Sequence, residues 1–386
     1  MSNDNYNDNL RLIFFQNCIS PHQMPYIEML SKRDDVEHVW VIAPRLAYSE
    51  RAAMGWPETW KNSSDKLTIK INPTDQQVEE LLHSTPLCFF SGITAFPEVF
   101  HWFKLSLKYN VKRGIITEAP YTYDKPLWMH KIKFVLKDYR CIKYVDYVFA
   151  IGEDCAEYYQ GWSKRWKVVP FLYCTEFKSH TELTDSLGFK PNGENLTDCL
   201  NLVFVGSLDR RKNVKVLLEA LSLVGSHSEI KSHTELTDHT DFNVTIVGDG
   251  PEHSLLEEKA KIVGSNISVE FRGALPMEET QKVIAEKDVL VLPSLHDGWG
   301  AVINEAMTLG TIPVCSDKCG AKAIIKKSGF GGVFDVNNPL QLADMLTGFA
   351  NNIDSLRKER NSRIEWAKDN ISPIAVSEYF ISSLKK

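Results

Sequence analysis

The sequence predicts two doubly wound α/β domains, each a parallel sheet covered on both faces by helices. Three observations carry that expectation. At 386 residues the chain is too long for one ordinary core and suits two domains of roughly 150–200 residues. Short apolar runs alternate with amphipathic helical stretches along almost the whole length. The runs are continuous in Val, Ile and Leu rather than strictly alternating, as in strands buried on both faces.

Taken in order, Leu10–Asn17, Val36–Ala43, Leu67–Asn72, Leu87–Gly92, Arg113–Glu118 and Tyr147–Gly152 read as strands, with helix-like segments between most of them. The polar stretch Phe171–Cys199, with Pro191-Asn192-Gly193 inside it, breaks the pattern. A second series follows: Asn201–Gly206, Val244–Gly248, Ile267–Arg272, Val289–Pro293 and Thr311–Ser316. The expected division is residues 1–172, then 173–368, with 369–386 a C-terminal helix packing back toward the first domain. The octamer KSHTELTD occurs at Lys178–Asp185 and again at Lys231–Asp238. Two copies at unrelated positions cannot build a solenoid, so they read as surface-loop insertions rather than as a metal site through His180 and His233.

A composition of 43% apolar and 24% charged residues is that of a globular protein, and a formal net charge of −6 argues against a nucleic-acid binder. No apolar run approaches the ~18–20 residues that span a bilayer, and polar Met1–Asn9 lacks the features of a secretory signal. Eight scattered cysteines with no C-x-x-C suit reduced thiols in a cytoplasmic protein.

The second half carries three phosphate-site candidates. Gly206-Ser207-Leu208-Asp209-Arg210-Arg211-Lys212 joins a strand to a helix whose apolar face runs Val214, Leu217, Leu218, Leu221 and Val224. Three cations there oppose the helix dipole, and a bound anion reverses the sign of that energy. Charge-assisted bonds from Arg211 and Lys212 to a phosphate are worth roughly 1.5–3 kcal/mol each; the alternative is a solvated basic loop. In the second candidate, strand Val289–Pro293 leads through His296-Asp297-Gly298-Trp299-Gly300 to a helix beginning near Ala301 and Val302. Glycines let backbone approach a ligand, and Glu305 lies one turn into the helix, placed to accept ribose hydroxyls. Asp297 either reaches a sugar hydroxyl or caps the helix, and Glu305 is otherwise a surface charge. The third, Val247-Gly248-Asp249-Gly250-Pro251-Glu252, is a G-x-G without the third dinucleotide glycine, since position 253 is His253. It serves the ligand or simply a tight turn.

Together these segments resemble glycosyltransferase family 4, the retaining enzymes of the GT-B fold, in which two Rossmann-like domains face each other across a cleft. The order matches: Gly206 to Lys212 as G-x-L-x-x-x-K, Val247 to Glu252, Phe271-Arg272-Gly273 with Glu278-Glu279, then an acidic residue seven positions ahead of Glu305-Ala306-Met307. The resemblance covers about Leu202–Asp335. It implies that Lys212 binds the donor diphosphate, Glu305 the ribose, Asp297 with Trp299–Val302 the sugar and phosphates, and Arg272 or its neighbours the base. Gly206, Gly248, Gly298 and Gly300 belong to the same donor site. Ser207 stands where the family commonly has a phosphate-binding Arg, for which Arg210 or Arg211 substitutes. Asp297 replaces the usual Glu, shorter by about 1.5 Å. The absence of any Asp-x-Asp favours a metal-independent reaction with no cofactor beyond the nucleotide-diphosphate sugar as co-substrate.

By the same resemblance the first domain holds the acceptor, a glycan or lipid-linked glycan. Loops after its strands offer His22, Gly92 and Glu118; His22 or Glu118 orients an acceptor hydroxyl, or else His22 caps a helix and Glu118 makes a structural hydrogen bond. Residues 125–143 carry six Lys/Arg against one Asp, interleaved with Trp128, Phe134 and Tyr139. This is either a membrane-surface helix on the inner face of the cell membrane or an ordinary helix with a solvated basic face. The implied function is a retaining hexosyltransferase of bacterial surface polysaccharide synthesis (O-antigen, lipopolysaccharide or capsule). A sugar-nucleotide 2-epimerase and a catalytically inactive nucleotide-sugar-binding partner are the alternatives.

Overall fold

The computed structural model describes residues 9–49, 60, 64–119, 126–176, 199–231 and 242–385. The chain divides into two compact units, Met1–Glu176 with Asn370–Lys386, and Phe177–Asp369.

The first unit runs β1 (Leu10–Phe15), α1 (Met24–Ser31), β2 (Val36–Ala43), β3 (Leu67–Ile71), α2 (Asp75–Ser84), β4 (Leu87–Ser91), α3 (Pro97–Ser106), β5 (Lys112–Glu118), α4 (Leu127–Lys137), α5 (Tyr139–Ile142), β6 (Tyr147–Ile151), α6 (Glu153–Tyr159) and β7 (Lys167–Phe171). Its seven strands are parallel in the order β3-β2-β1-β4-β5-β6-β7. The paired aromatics of β1 and β4 show why these runs are continuous. Phe14 lies opposite Phe89 and Phe15 opposite Phe90, with rings stacked at 5.3 and 4.7 Å. Successive residues point to opposite faces, so one pair fills the core on each side of the sheet. Helix starts are locally encoded: Thr74 and Gln77 form a reciprocal capping box at α2, and Pro97 opens α3.

The second unit runs β8 (Leu200–Val205), α7 (Val214–Lys231), β9 (Phe242–Val247), α8 (His253–Ala260), β10 (Ile267–Phe271), α9 (Met277–Ala285), β11 (Val289–Leu292), α10 (Val302–Thr308), β12 (Ile312–Ser316), α11 (Lys322–Ser328), β13 (Gly332–Phe334), α12 (Pro339–Ala350) and α13 (Ile353–Lys358). Its six strands are parallel in the order β10-β9-β8-β11-β12-β13. Both sheets grow outward from a first strand in one direction and then reverse. The reversal falls between β1 and β4 in one unit and between β8 and β11 in the other. Loops leaving the carboxyl ends of those adjacent strands are where such sheets bind ligands.

The chain ends with α14 (Arg360–Ile371) and α15 (Pro373–Lys385). Helix α15 belongs to the first unit. Phe380 places its ring 4.6 Å from Phe149, 4.9 Å from Phe89, 5.7 Å from Phe14 and 5.9 Å from Phe171. One side chain thereby joins four strands, and Lys385 adds an ion pair to Asp35 at 3.0 Å.

Two strands went unread in the sequence. Strand β7 contains Pro170, which is tolerated because β7 is an edge strand. Strand β13 is three residues long, too short to show a period. The first KSHTELTD copy, and all of the second beyond Lys231, lie outside the described residues.

Candidate functional site

Strands β8 and β11 are hydrogen-bonded neighbours, with Leu202 opposite Val289 and Val203 opposite Leu290. The loops that leave their carboxyl ends, from Gly206 and from Pro293, therefore emerge side by side although more than eighty residues separate them in sequence. They are laced together by backbone and side chain. Leu295 N–H donates to the Arg211 carbonyl at 2.8 Å, and Asn213 Nδ2 donates to the Pro293 carbonyl at 3.2 Å. Asn213 holds a left-handed φ of 53°, a conformation Asn tolerates better than most residues.

Across this junction Lys212 Nζ meets Asp297 Oδ2 at 2.7 Å, and Arg211 Nη1 lies 3.7 Å from the same oxygen. Burial by itself raises the Asp297 carboxyl. The charge and hydrogen bond of Lys212, with the nearby Arg211 and His296, outweigh that and hold it below the ordinary carboxylate range. The result is a partly buried cluster of two cations around one fixed anion. A Lys ammonium has three donors, so the bond to Asp297 leaves it able to bind a second anion. Of the two arginines put forward beside Ser207, Arg211 reaches this cluster and Arg210 is exposed. Ser207 Oγ donates to Asp209 Oδ2 at 2.7 Å, and Asp209 Oδ1 accepts from Lys212 N–H at 2.9 Å. Sequence reasoning passed over Asp209, although an Asp three residues before the Lys at a helix entry is a recognisable turn signal.

The G-D-G segment explains itself by close packing. A Cβ on Gly248, whose φ is +136°, would stand 1.8 Å from the Gly206 carbonyl oxygen. Leu208 N–H donates to the Asp249 carbonyl, and Glu252 N–H to the Leu208 carbonyl, both at 2.9 Å. Gly248 thus lets the β9 loop brace the cationic β8 loop from beside it.

Helix α10 starts at Val302 with Ala301 as its cap residue and no side-chain cap, so Asp297 is not a helix cap. Gly300, with φ +91°, passes so close to Leu292 that a Cβ would meet it at 2.8 Å. The Trp299 indole is buried and donates to Asn304 Oδ1 at 2.7 Å, which turns the ring into the fold. Asp297 N–H bonds the Lys318 carbonyl at 3.1 Å, and Ala321 N–H bonds the Trp299 carbonyl at 2.7 Å, so the loop after β12 holds this one from its far side. Glu305 is half-buried rather than a surface charge, and burial pushes its carboxyl up to about 7. Among the described residues nothing hydrogen-bonds or ion-pairs with that carboxyl. Arg272, at the end of β10, pairs with Glu270 at 3.1 Å and makes no described bond to the Lys212–Asp297 cluster.

In the first unit, His22, Gly92 and Glu118 all lie at the carboxyl edge of the sheet, after β1, after β4 and at the end of β5. Gln23, not His22, occupies the cap position of α1, and it makes no side-chain cap bond. Glu118 shares a hydrogen bond with the Tyr173 hydroxyl, which burial and that carboxylate together raise well above the ordinary tyrosine range. Among the described residues there is no group of three or more His, Cys, Asp or Glu disposed to hold a metal, and no helix is long and apolar enough to cross a membrane.

Two parallel doubly wound units with a cationic strand–helix loop at the reversal point of the second define the GT-B class of fold. Residues 190–369 match the family model described as glycosyl transferases group 1. An uncharacterized glycosyltransferase of Methanocaldococcus jannaschii is 27% identical over 175 residues, 43% of this chain and 44% of the relative. The chain spans about half or less of the length of the first curated relatives it matches. Among solved structures, Anabaena HepE in complex with UDP superposes with a TM-score of 0.65 at 13% identity, covering 97% of this chain and 99% of HepE. The lipopolysaccharide outer core galactosyltransferase WaaB gives 0.63 at 14% identity, covering 97% and 99%.

Proposed function

We propose that this chain transfers a hexosyl group from a nucleoside diphosphate sugar to an acceptor hydroxyl, with retention of configuration and without a metal, as in glycosyltransferase family 4. The observation that carries the reading is the meeting of Lys212, Arg211 and Asp297 where the β8 and β11 loops converge. As the glycosidic bond breaks, charge accumulates on the leaving diphosphate. Cations already fixed beside it stabilise that charge more than they stabilise the bound donor, which lowers the barrier. Lys212 and Arg211 supply the cations, and the loop amides near Gly300–Val302 supply further donors. Asp297, kept ionised by its neighbours, holds the Lys212 ammonium in place and can accept from a donor-sugar hydroxyl. Glu305 accepts the ribose hydroxyls.

The likeness to a fold that binds UDP in HepE supports a uridine diphosphate donor, and the likeness to WaaB supports a role in bacterial surface polysaccharide assembly at the cytoplasmic face of the membrane. His22, Gly92 and Glu118 mark the acceptor side of the first unit. Thermal-shift measurements across nucleoside diphosphates test the donor, because a ligand of the native state raises its apparent stability. Stabilisation by one of them, followed by transfer of labelled sugar from its hexosyl derivative to a glycan or lipid-linked acceptor, is the expected result. Release of epimerised sugar without any acceptor would overturn it.

A further inference from the structure

Helix α4 presents its apolar side outward. Trp128, Ile132 and Leu136 are 61%, 50% and 74% exposed, and Met129 and Val135 are also exposed. At ~100° per residue these five positions fall within an arc of about 120°, a single stripe along the helix. On the opposite side His130 has its Nε2 buried, so that side faces the fold. Amphipathic helices of globular units normally bury the apolar stripe; here five large apolar side chains on eleven residues are left in water.

Exposed cations border the stripe. Lys131 flanks one edge, Lys137 ends the helix away from the stripe, and Arg140 and Lys143 continue the basic strip through α5 into the following turn. The one described acid among them, Asp138, accepts a hydrogen bond from Thr94 Oγ1 at 2.5 Å. In a chain of formal net charge −6 this is a local reversal of sign.

We infer that α4 lies in the plane of an anionic lipid bilayer, with Trp128, Ile132 and Leu136 among the acyl chains and Lys131, Lys137, Arg140 and Lys143 at the headgroups. Eleven residues at about 1.5 Å each are far too short to span, but suit a helix lying at the interface. The cations select anionic headgroups, and their long stems reach the surface while the stripe goes deeper. A second copy of the chain would bring like charges together at the same edges, which disfavours self-association through this face. The inference goes beyond the donor chemistry and is independent of it, because α4 belongs to the first unit and the cationic loops to the second.

The test is co-sedimentation of the full chain with phosphatidylcholine vesicles, with and without phosphatidylglycerol. Binding to the anionic vesicles that weakens with salt is expected, and little binding to neutral ones. Ile132→Asp with Leu136→Asp, and separately Lys131→Glu with Lys137→Glu, should each lower partitioning by roughly tenfold or more. Every substituted side chain is exposed, and an unchanged circular dichroism spectrum with unchanged unfolding midpoints shows that each variant remains folded. Absence of wild-type binding, or undiminished binding by both variants, overturns the inference. So does a dimer in light scattering that the Asp variant dissolves, which would assign the stripe to a second copy.

Discussion

Lys212 and Asp297 hold each other in place, so the informative substitution removes charge without leaving the partner stranded. Lys212→Ala strips a partly buried carboxylate of its nearest cation, and breaking such a pair costs up to about 3–5 kcal/mol. Lys212→Gln keeps a donor for Asp297. We expect it to fold normally, to bind nucleoside diphosphate at least about tenfold more weakly, and to lose roughly a hundredfold or more in transfer rate; wild-type turnover would remove Lys212 from the site. Glu305 gives a pH signature. Its carboxyl titrates near 7 in the folded chain against 4.5 ordinarily, so between those values the native state binds more protons than the unfolded one. Stability from this group is full below about 4.5 and falls as pH rises through about 7. Urea unfolding from about pH 5 to pH 8 should show that decline, and Glu305→Gln should flatten it. The site residues were legible as chemistry because cations ahead of a helix and an acid one turn inside the next carry their own physical argument. The direct Lys212–Asp297 bond was not, since it depends on which strands are neighbours.

At the scale of elements, strand adjacency converts two distant loops into one site. The Val/Ile/Leu runs announced parallel strands buried on both faces, and the long strands emerge within a residue or two of where the sequence puts them. Strand order has no comparable local signal, and it alone brings Gly206 beside Pro293. The β9 loop is the second case: G-D-G read as a weak ligand motif, yet the nearest atom to a Cβ on Gly248 is the Gly206 carbonyl oxygen. Gly248→Ala must push the two loops apart. The expected outcome is a loss of roughly 2 kcal/mol or more in denaturant unfolding, with weaker nucleoside diphosphate binding because Lys212 loses its support. Unchanged affinity would show that the brace does not set the position of the cations.

For the whole molecule, the feature that closes the first unit is α15, which lies within the segment 369–386 that the sequence marks as a helix. Its Phe380 sits among aromatics of β1, β4, β6 and β7, and truncating a buried Phe costs about 3–5 kcal/mol. Phe380→Ala should therefore lower the unfolding midpoint of the first unit while the second, which contains none of these residues, keeps its own. Two separated transitions in calorimetry would report this, and a single undiminished one would contradict it. The same arrangement reverses the usual order of folding during synthesis. A nascent chain ordinarily completes its leading domain first. Here the ribosome has to deliver Phe380 before the leading sheet can seal, so the unit translated later can finish earlier, and the first strands wait with one aromatic face open until α15 has emerged.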